Sequence, residues 1–97
     1  MLVYEYPFHD KDIDISFAEI HERYPDSGFV LNEKVKEMIF VEEGEGKIMI
    51  ENREYKLKKD DVVLVLPNKK YFYEGNLKLI ISSSPAWYPA QHKRVDN

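Results

Sequence analysis

The chain has no cysteine, which removes disulfides, thiolate metal sites and cysteine nucleophiles together. It has no apolar run near the ~20 residues that a membrane-spanning helix needs. Its start, MLVYEYPFHDKD, lacks a basic stretch followed by an apolar one, so no secretory leader is expected. Only three histidines are present, His9, His21 and His92, and none lies between Glu37 and Pro67. With neither disulfides nor an export signal, the expectation is a cytoplasmic protein that makes no use of a membrane.

The 97 residues, 43% hydrophobic and 33% charged, suit one compact domain over 1–97, with an N-terminal arm 1–12 and a C-terminal tail 82–97. The net charge of −4 argues against a nucleic-acid partner. Lysines do cluster, at Lys56, Lys58, Lys59, Lys69 and Lys70. Lys56 and Lys58 flank Leu57, however, as the solvated face of a half-buried strand would.

The dominant periodicity is two. Ile13, Ile15 and Phe17 alternate with Asp14, Ser16 and Ala18, which predicts a strand with the first set buried. Leu2 to Tyr6 forms a weaker strand that Pro7 confines to an edge or an end. Tyr24 to Gly28 reads as a turn, and Phe29 to Leu31 and Met38 to Val41 as short strands. Gly44-Glu45-Gly46 breaks the chain, and Asn52-Arg53 is the expected hairpin loop between Lys47–Glu51 and Glu54–Lys58. Tyr55 and Leu57 fall on one side of the second of these strands. Val62 to Leu66 is apolar throughout, as for a strand covered on both faces. Pro67-Asn68 and Gly75-Asn76 turn the chain around Tyr71 to Tyr73, and Leu77, Leu79 and Ile81 then alternate. Many short strands without helical periodicity predict an all-β, antiparallel jelly-roll barrel. Ile15, Phe17, Ile39, Val41, Ile48, Ile50, Val63, Val65, Leu79 and Ile81 are its expected core.

The order of these elements resembles the cupins, small double-stranded β-helix barrels. Gly28, then Glu37 followed after six residues by Gly44, matches parts of the first cupin motif. Asp60-Asp61, Val62 to Leu66, Pro67 and Asn68 follow the course of the second. The resemblance covers about Ile13 to Ile81. It implies a metal held by three histidines and a glutamate, but those histidine positions carry Val30 and Asn32 (or Leu31 and Glu33) and Tyr71. One carboxylate, an amide and a neutral phenol bind iron, zinc or copper poorly, so no cofactor is expected.

If Glu37 points inward, period two turns Ile39 and Val41 inward with it, and desolvation should raise its pKa. A buried acid needs a partner: Tyr71, Tyr73, Asn32 or a ligand, unless Glu37 instead sits at the rim beside Lys34, Lys36 or Lys47. Phe29, Tyr73 and Trp87 join Asn32 as candidate ligand contacts at the barrel mouth, and Phe72 is assigned to packing. His9 and His92 are expected at the surface; His21, in phase with Ile15 and Phe17, is expected to point inward. Two functions follow. The first is metal-free binding of a small polar organic ligand, as a sensor-like module or as a lyase or isomerase using Glu37 and Tyr71 as catalytic groups. The alternative is a cupin metalloenzyme with atypical ligands such as Glu37, His21 and Glu33. A homodimer is expected from the apolar strand Leu2 to Tyr6, which would otherwise leave an open edge for a neighbour's sheet.

Overall fold

A computed structural model describes residues 1–6 and 9–96. Eight strands follow one another: β1 (Leu2–Glu5), β2 (Asp14–Tyr24), β3 (Phe29–Asn32), β4 (Lys36–Ile50), β5 (Arg53–Lys58), β6 (Val62–Val65), β7 (Tyr71–Ser84) and β8 (His92–Val95). A single 3₁₀ turn, Pro89–Gln91, is the only helical piece among the described residues. Every pairing is antiparallel, and the strands form one curled sheet. It runs β1-β2-β7, and β7 then continues on one side to β3 and β8 and on the other to β4. The far edge of β4 is shared, with β6 on its first part and β5 on its second.

The long strands are longer than the glycines suggest. β4 runs unbroken through Gly44-Glu45-Gly46, with a register shift between Val41 and Glu43, and β7 runs unbroken through Gly75-Asn76. These glycines sit where the two backbones approach, since Gly44 pairs with Leu77 and Gly46 with Gly75. They mark close packing rather than turns. The β4–β5 hairpin loop is Glu51-Asn52, one residue earlier than expected, because Ile50 pairs with Arg53. Glu51 takes the positive φ of 54°. Pro7, expected to limit the first strand, lies outside the described residues.

Ile39, Val41, Ile48, Val65, Leu79 and Ile81 are buried, and Ile50 and Val63 pack against them. β2 corrects the expected core. Ala18 and Ile20 are the buried residues, whereas Ile15 is 38% exposed and Phe17 only partly covered. The inward set is therefore Asp14, Ser16, Ala18 and Ile20. The reason lies at the barrel mouth, where the inside of β2 borders an open cavity and polar side chains are favoured there. By the same phase His21 is exposed, not inward. Tyr55 and Leu57 part company as well, Leu57 buried and Tyr55 39% exposed. β6 is covered on one face only, with Val62, Leu64 and Leu66 exposed.

The outward apolar residues align across strands. Tyr4 pairs with Phe17, Phe17 with Ile80, Ile80 with Phe40 and Phe40 with Val62. Directly opposite residues share a face, so this is one apolar row across five strands. Strand β1 closes on its own β2 rather than reaching outward.

Candidate functional site

A cavity of about 740 Å³ opens at the end of the barrel where β1, β2, β4 and β7 meet the C-terminal segment. Glu37 lies on its wall. The strand pairs place Glu37 of β4 between Val65 of β6 and Ser83 of β7, so period two turns it inward with Ile39 and Val41. Tyr71 and Tyr73, two residues apart on β7, point to the same side and stack edge to face at 5.7 Å. The Tyr71 hydroxyl donates to Glu37 Oε1 at 3.3 Å. The Tyr73 hydroxyl is buried and has no partner, as is the amide nitrogen of Asn32.

Burial sets the charge state of this group. It pushes the Glu37 carboxyl up to about 6, against a smaller opposing pull from Tyr71, Asn32 and Ser83 and a push from Asp14. The Asn32 amide lies near enough to favour the charged carboxylate without closing a hydrogen bond to it. Burial, and then the neighbouring carboxylate, drive the Tyr71 and Tyr73 phenols well above their ordinary value, so both stay neutral.

The C-terminal segment closes the back of the cavity through Asn32, at the end of β3. Asn32 Oδ1 accepts from Trp87 Nε1 at 3.2 Å, Gln91 Nε2 at 2.9 Å and His92 Nδ1 at 2.8 Å. Gln91 Oε1 in turn accepts from the backbone N–H groups of Lys34 and Val35. The Trp87 N–H of the backbone donates to Asp14 at 2.9 Å. Tyr24, at the end of β2, places its hydroxyl 3.2 Å from His92 Nε2.

Of the candidate residues, Glu37, Tyr71, Tyr73 and Trp87 line one cavity. Asn32 is buried and reaches it through Trp87 and His92, which both line it. Phe29 is not brought there. It packs edge to face on Phe72 at 5.2 Å, under the Lys70 ammonium, while the Arg23 guanidinium covers Phe72. Glu37 is not at a lysine-lined rim but 7% exposed. His9 is exposed, as expected, at the cavity mouth. His92 is not a surface residue: it is half-buried and bonded on both ring nitrogens. Tyr24, Asp14, Gln91 and His92 carried no sequence signal as site residues, because the contacts that gather them span 55 or more positions.

The metal that the cupin resemblance implies does not fit these donors. Asn32 Oδ1 already accepts three hydrogen bonds, and Tyr71 holds its proton far above neutral pH. His21 and Glu33, the atypical ligands considered, are both exposed. Among the described residues no three His, Cys, Asp or Glu side chains gather as a metal-holding group.

The fold and cavity are those of a cupin-type barrel, and comparisons with known proteins agree. Residues 15–75 match the AraC-like ligand binding domain, so the chain belongs to that family. Among solved structures it is similar to Pac13, described as a unique nucleoside dehydratase, at 16% identity and a TM-score of 0.89, over 97% of this chain and 77% of that one. A double-stranded β-helix protein from Klebsiella pneumoniae aligns at 11% identity and a TM-score of 0.75, over 93% of this chain and 75% of that one. The cupin domain of Schizosaccharomyces pombe Cnp3 aligns at 12% and 0.74, over 87% and 64%. At these identities the likeness is one of fold. No curated protein matches the chain in sequence.

Proposed function

We propose that the barrel binds a small, uncharged, polyhydroxylated organic molecule, without a transition metal. The observation that carries this reading is Tyr73, which lines the same cavity as Glu37 and Tyr71 and whose hydroxyl is buried and unpartnered. A buried polar group without a partner is expensive, and a ligand hydroxyl or carbonyl would satisfy it. Among the described residues, Glu5, Asp10, Asp14 and Glu37 line the cavity against the Lys11 ammonium and the amino terminus of Met1. Such a wall repels phosphates and carboxylates. Tyr24, Tyr71 and Trp87 supply faces for the apolar side of a sugar or a planar ring.

Uridine is a suitable first probe, since Streptomyces PAC13, similar in fold at a TM-score of 0.89, is known with uridine. Trp87 is the sole tryptophan, so its fluorescence reports the cavity directly. Uridine or a neutral pentose should quench it, and uridine 5′-phosphate should bind at least tenfold more weakly. Equal binding of the phosphate would refute the uncharged-ligand reading. No response to any neutral member would refute the ligand site altogether.

A second reading, a lyase or isomerase, is favoured by the Glu37 carboxyl, whose pKa near 6 lets it hold or release a proton close to neutral pH. Tyr71 would orient that carboxyl.

We also propose that the protein is a cytoplasmic homodimer without a nucleic-acid partner. No helix among the described residues is long and apolar enough to cross a membrane. The dimer would use the outer row from Tyr4 to Val62, flanked by the exposed Met38 and Leu64. Light scattering should give twice the mass of one chain, and Met38→Glu with Leu64→Glu should halve it. A wild-type monomer at high micromolar concentration would rule the dimer out.

A further inference from the structure

We propose that Tyr24 and His92 form a second proton-transfer site on the cavity, held in one protonation pattern by Asn32 as the positioning residue. It rests on reading the cavity as a ligand site. The pattern can be traced from the backbone outward. The N–H groups of Lys34 and Val35 can only donate, so the Gln91 atom they meet is its oxygen. Gln91 must then present its amide nitrogen to Asn32. Trp87 Nε1 is also an obligatory donor and meets the same Asn32 atom, which is therefore the oxygen.

A carbonyl oxygen only accepts, so the 2.8 Å contact with His92 requires a proton on Nδ1. A neutral imidazole then leaves Nε2 bare, and Nε2 accepts the Tyr24 hydroxyl proton at 3.2 Å. Burial lowers the His92 pKa below its ordinary value, which keeps the ring neutral at pH 7. The groups around the pair are the Trp87 ring, 5.5 Å from His92, and two charges felt by Tyr24, Glu37 and Arg94.

Tyr24, a residue that lines the cavity, thus aims its proton at a base. An activated C–H or an O–H of a ligand set against the Tyr24 oxygen can lose its proton to it. The Tyr24 proton passes to Nε2 in the same step. One bond to hydrogen breaks on the ligand and one on Tyr24; a new Tyr24 O–H and a His92 Nε2–H form. The electron pair stays on the ligand, and the imidazolium keeps its Nδ1–H on Asn32. No oxidant or reductant is consumed. Glu37, on the same cavity, is the group that can return a proton to a leaving oxygen.

The test uses 5-nitrobenzisoxazole, an uncharged aromatic carbon acid. Loss of its C–H proton breaks the N–O bond and releases a coloured cyanonitrophenolate. The wild-type protein should accelerate the opening over buffer. Tyr24→Phe and His92→Gln should each slow it at least tenfold at pH 7, within the roughly 10²–10⁴-fold range of a positioned base, while Trp87 quenching by the probe persists. Glu43→Ala, at an exposed position away from the cavity, should keep the rate within about threefold. Asn32→Asp should move the acid limb of the pH–rate profile to higher pH, because a carboxylate behind Nδ1 favours the imidazolium. A rate that vanishes in Glu37→Gln and survives in Tyr24→Phe would overturn the proposal, as would quenching of the wild type without acceleration. Absence of quenching would instead defeat the ligand-site reading beneath it.

Discussion

Replacing Glu37 with glutamine is expected to stabilise the protein above pH 7 by about 2 kcal/mol, and to weaken ligand binding at the same time. The sign follows from the direction of the shift. Burial raises the folded-state carboxyl from its ordinary 4.5 to about 6, so the native state holds an extra proton between those values. Stability therefore falls as pH rises through that window and stays lower above it. This is the reverse of a salt-bridged acid, whose contribution is lost on acidification. A shift of about 1.5 units corresponds to roughly 2 kcal/mol, and to roughly 10 °C in melting temperature for a domain of this size. Glutamine keeps an oxygen for the Tyr71 hydroxyl but carries no charge to desolvate. The gain should disappear near pH 4, where Glu37 is protonated in both states. Thermal melts from pH 4 to pH 8 check this. A Glu37→Gln variant less stable than wild type at pH 8 would show that the carboxylate is stabilised by its surroundings. A destabilising carboxylate on the wall of the cavity fits a site kept for a ligand rather than for stability.

Gly44→Ala should lower stability by at least about 3 kcal/mol, and Gly44→Val should leave little folded protein at 37 °C. Gly44 takes φ +100°, a region that costs any L side chain free energy. A Cβ there would run into the Asn76 carbonyl and lie 3.2 Å from the Leu77 Cα, both backbone atoms of β7. Neither can swing aside as a side chain would, so β4 and β7 must separate locally. That pairing joins the two longest strands. Glu43→Ala, at an exposed position next door, is the control and should change the midpoint by under about 0.5 kcal/mol. Urea titrations of the three variants distinguish the outcomes, and a Gly44→Ala midpoint equal to that of Glu43→Ala would contradict the close approach of β4 and β7.

How much of the site was legible depended on distance along the chain. Glu37, Ile39 and Val41 are readable together because side chains alternate faces within one strand, and one inward position places the others. Gly44, at its spacing from Glu37, was visible as a motif, but its role was not. A glycine that ends a strand and one that lets two strands touch look alike in sequence. β2 defeated the pattern for a different reason. Ile13, Ile15 and Phe17 are the more apolar set, and the rule that the apolar face is the buried one assumes a filled interior. Here the interior beside Asp14 and Ser16 is a cavity, and Phe17 of the apolar set joins an outer row with Tyr4 and Ile80.

What the amino-acid order determined by itself was local: strand positions, the all-β barrel, the shared face of Glu37, Ile39 and Val41, and the absence of the cupin histidines. Each depends on residues a few positions apart, where backbone geometry ties neighbours together. Only the tertiary structure decided the phase of β2 and the exclusion of Phe29 from the cavity. It alone joined Tyr24, Asn32, Gln91 and His92 into one chain of hydrogen bonds. Those four lie on β2, β3 and the C-terminal segment, up to 68 positions apart for Tyr24 and His92. Contacts of that separation arise from barrel closure, which packs the last residues of the chain against the end of β3, and no local periodicity encodes them.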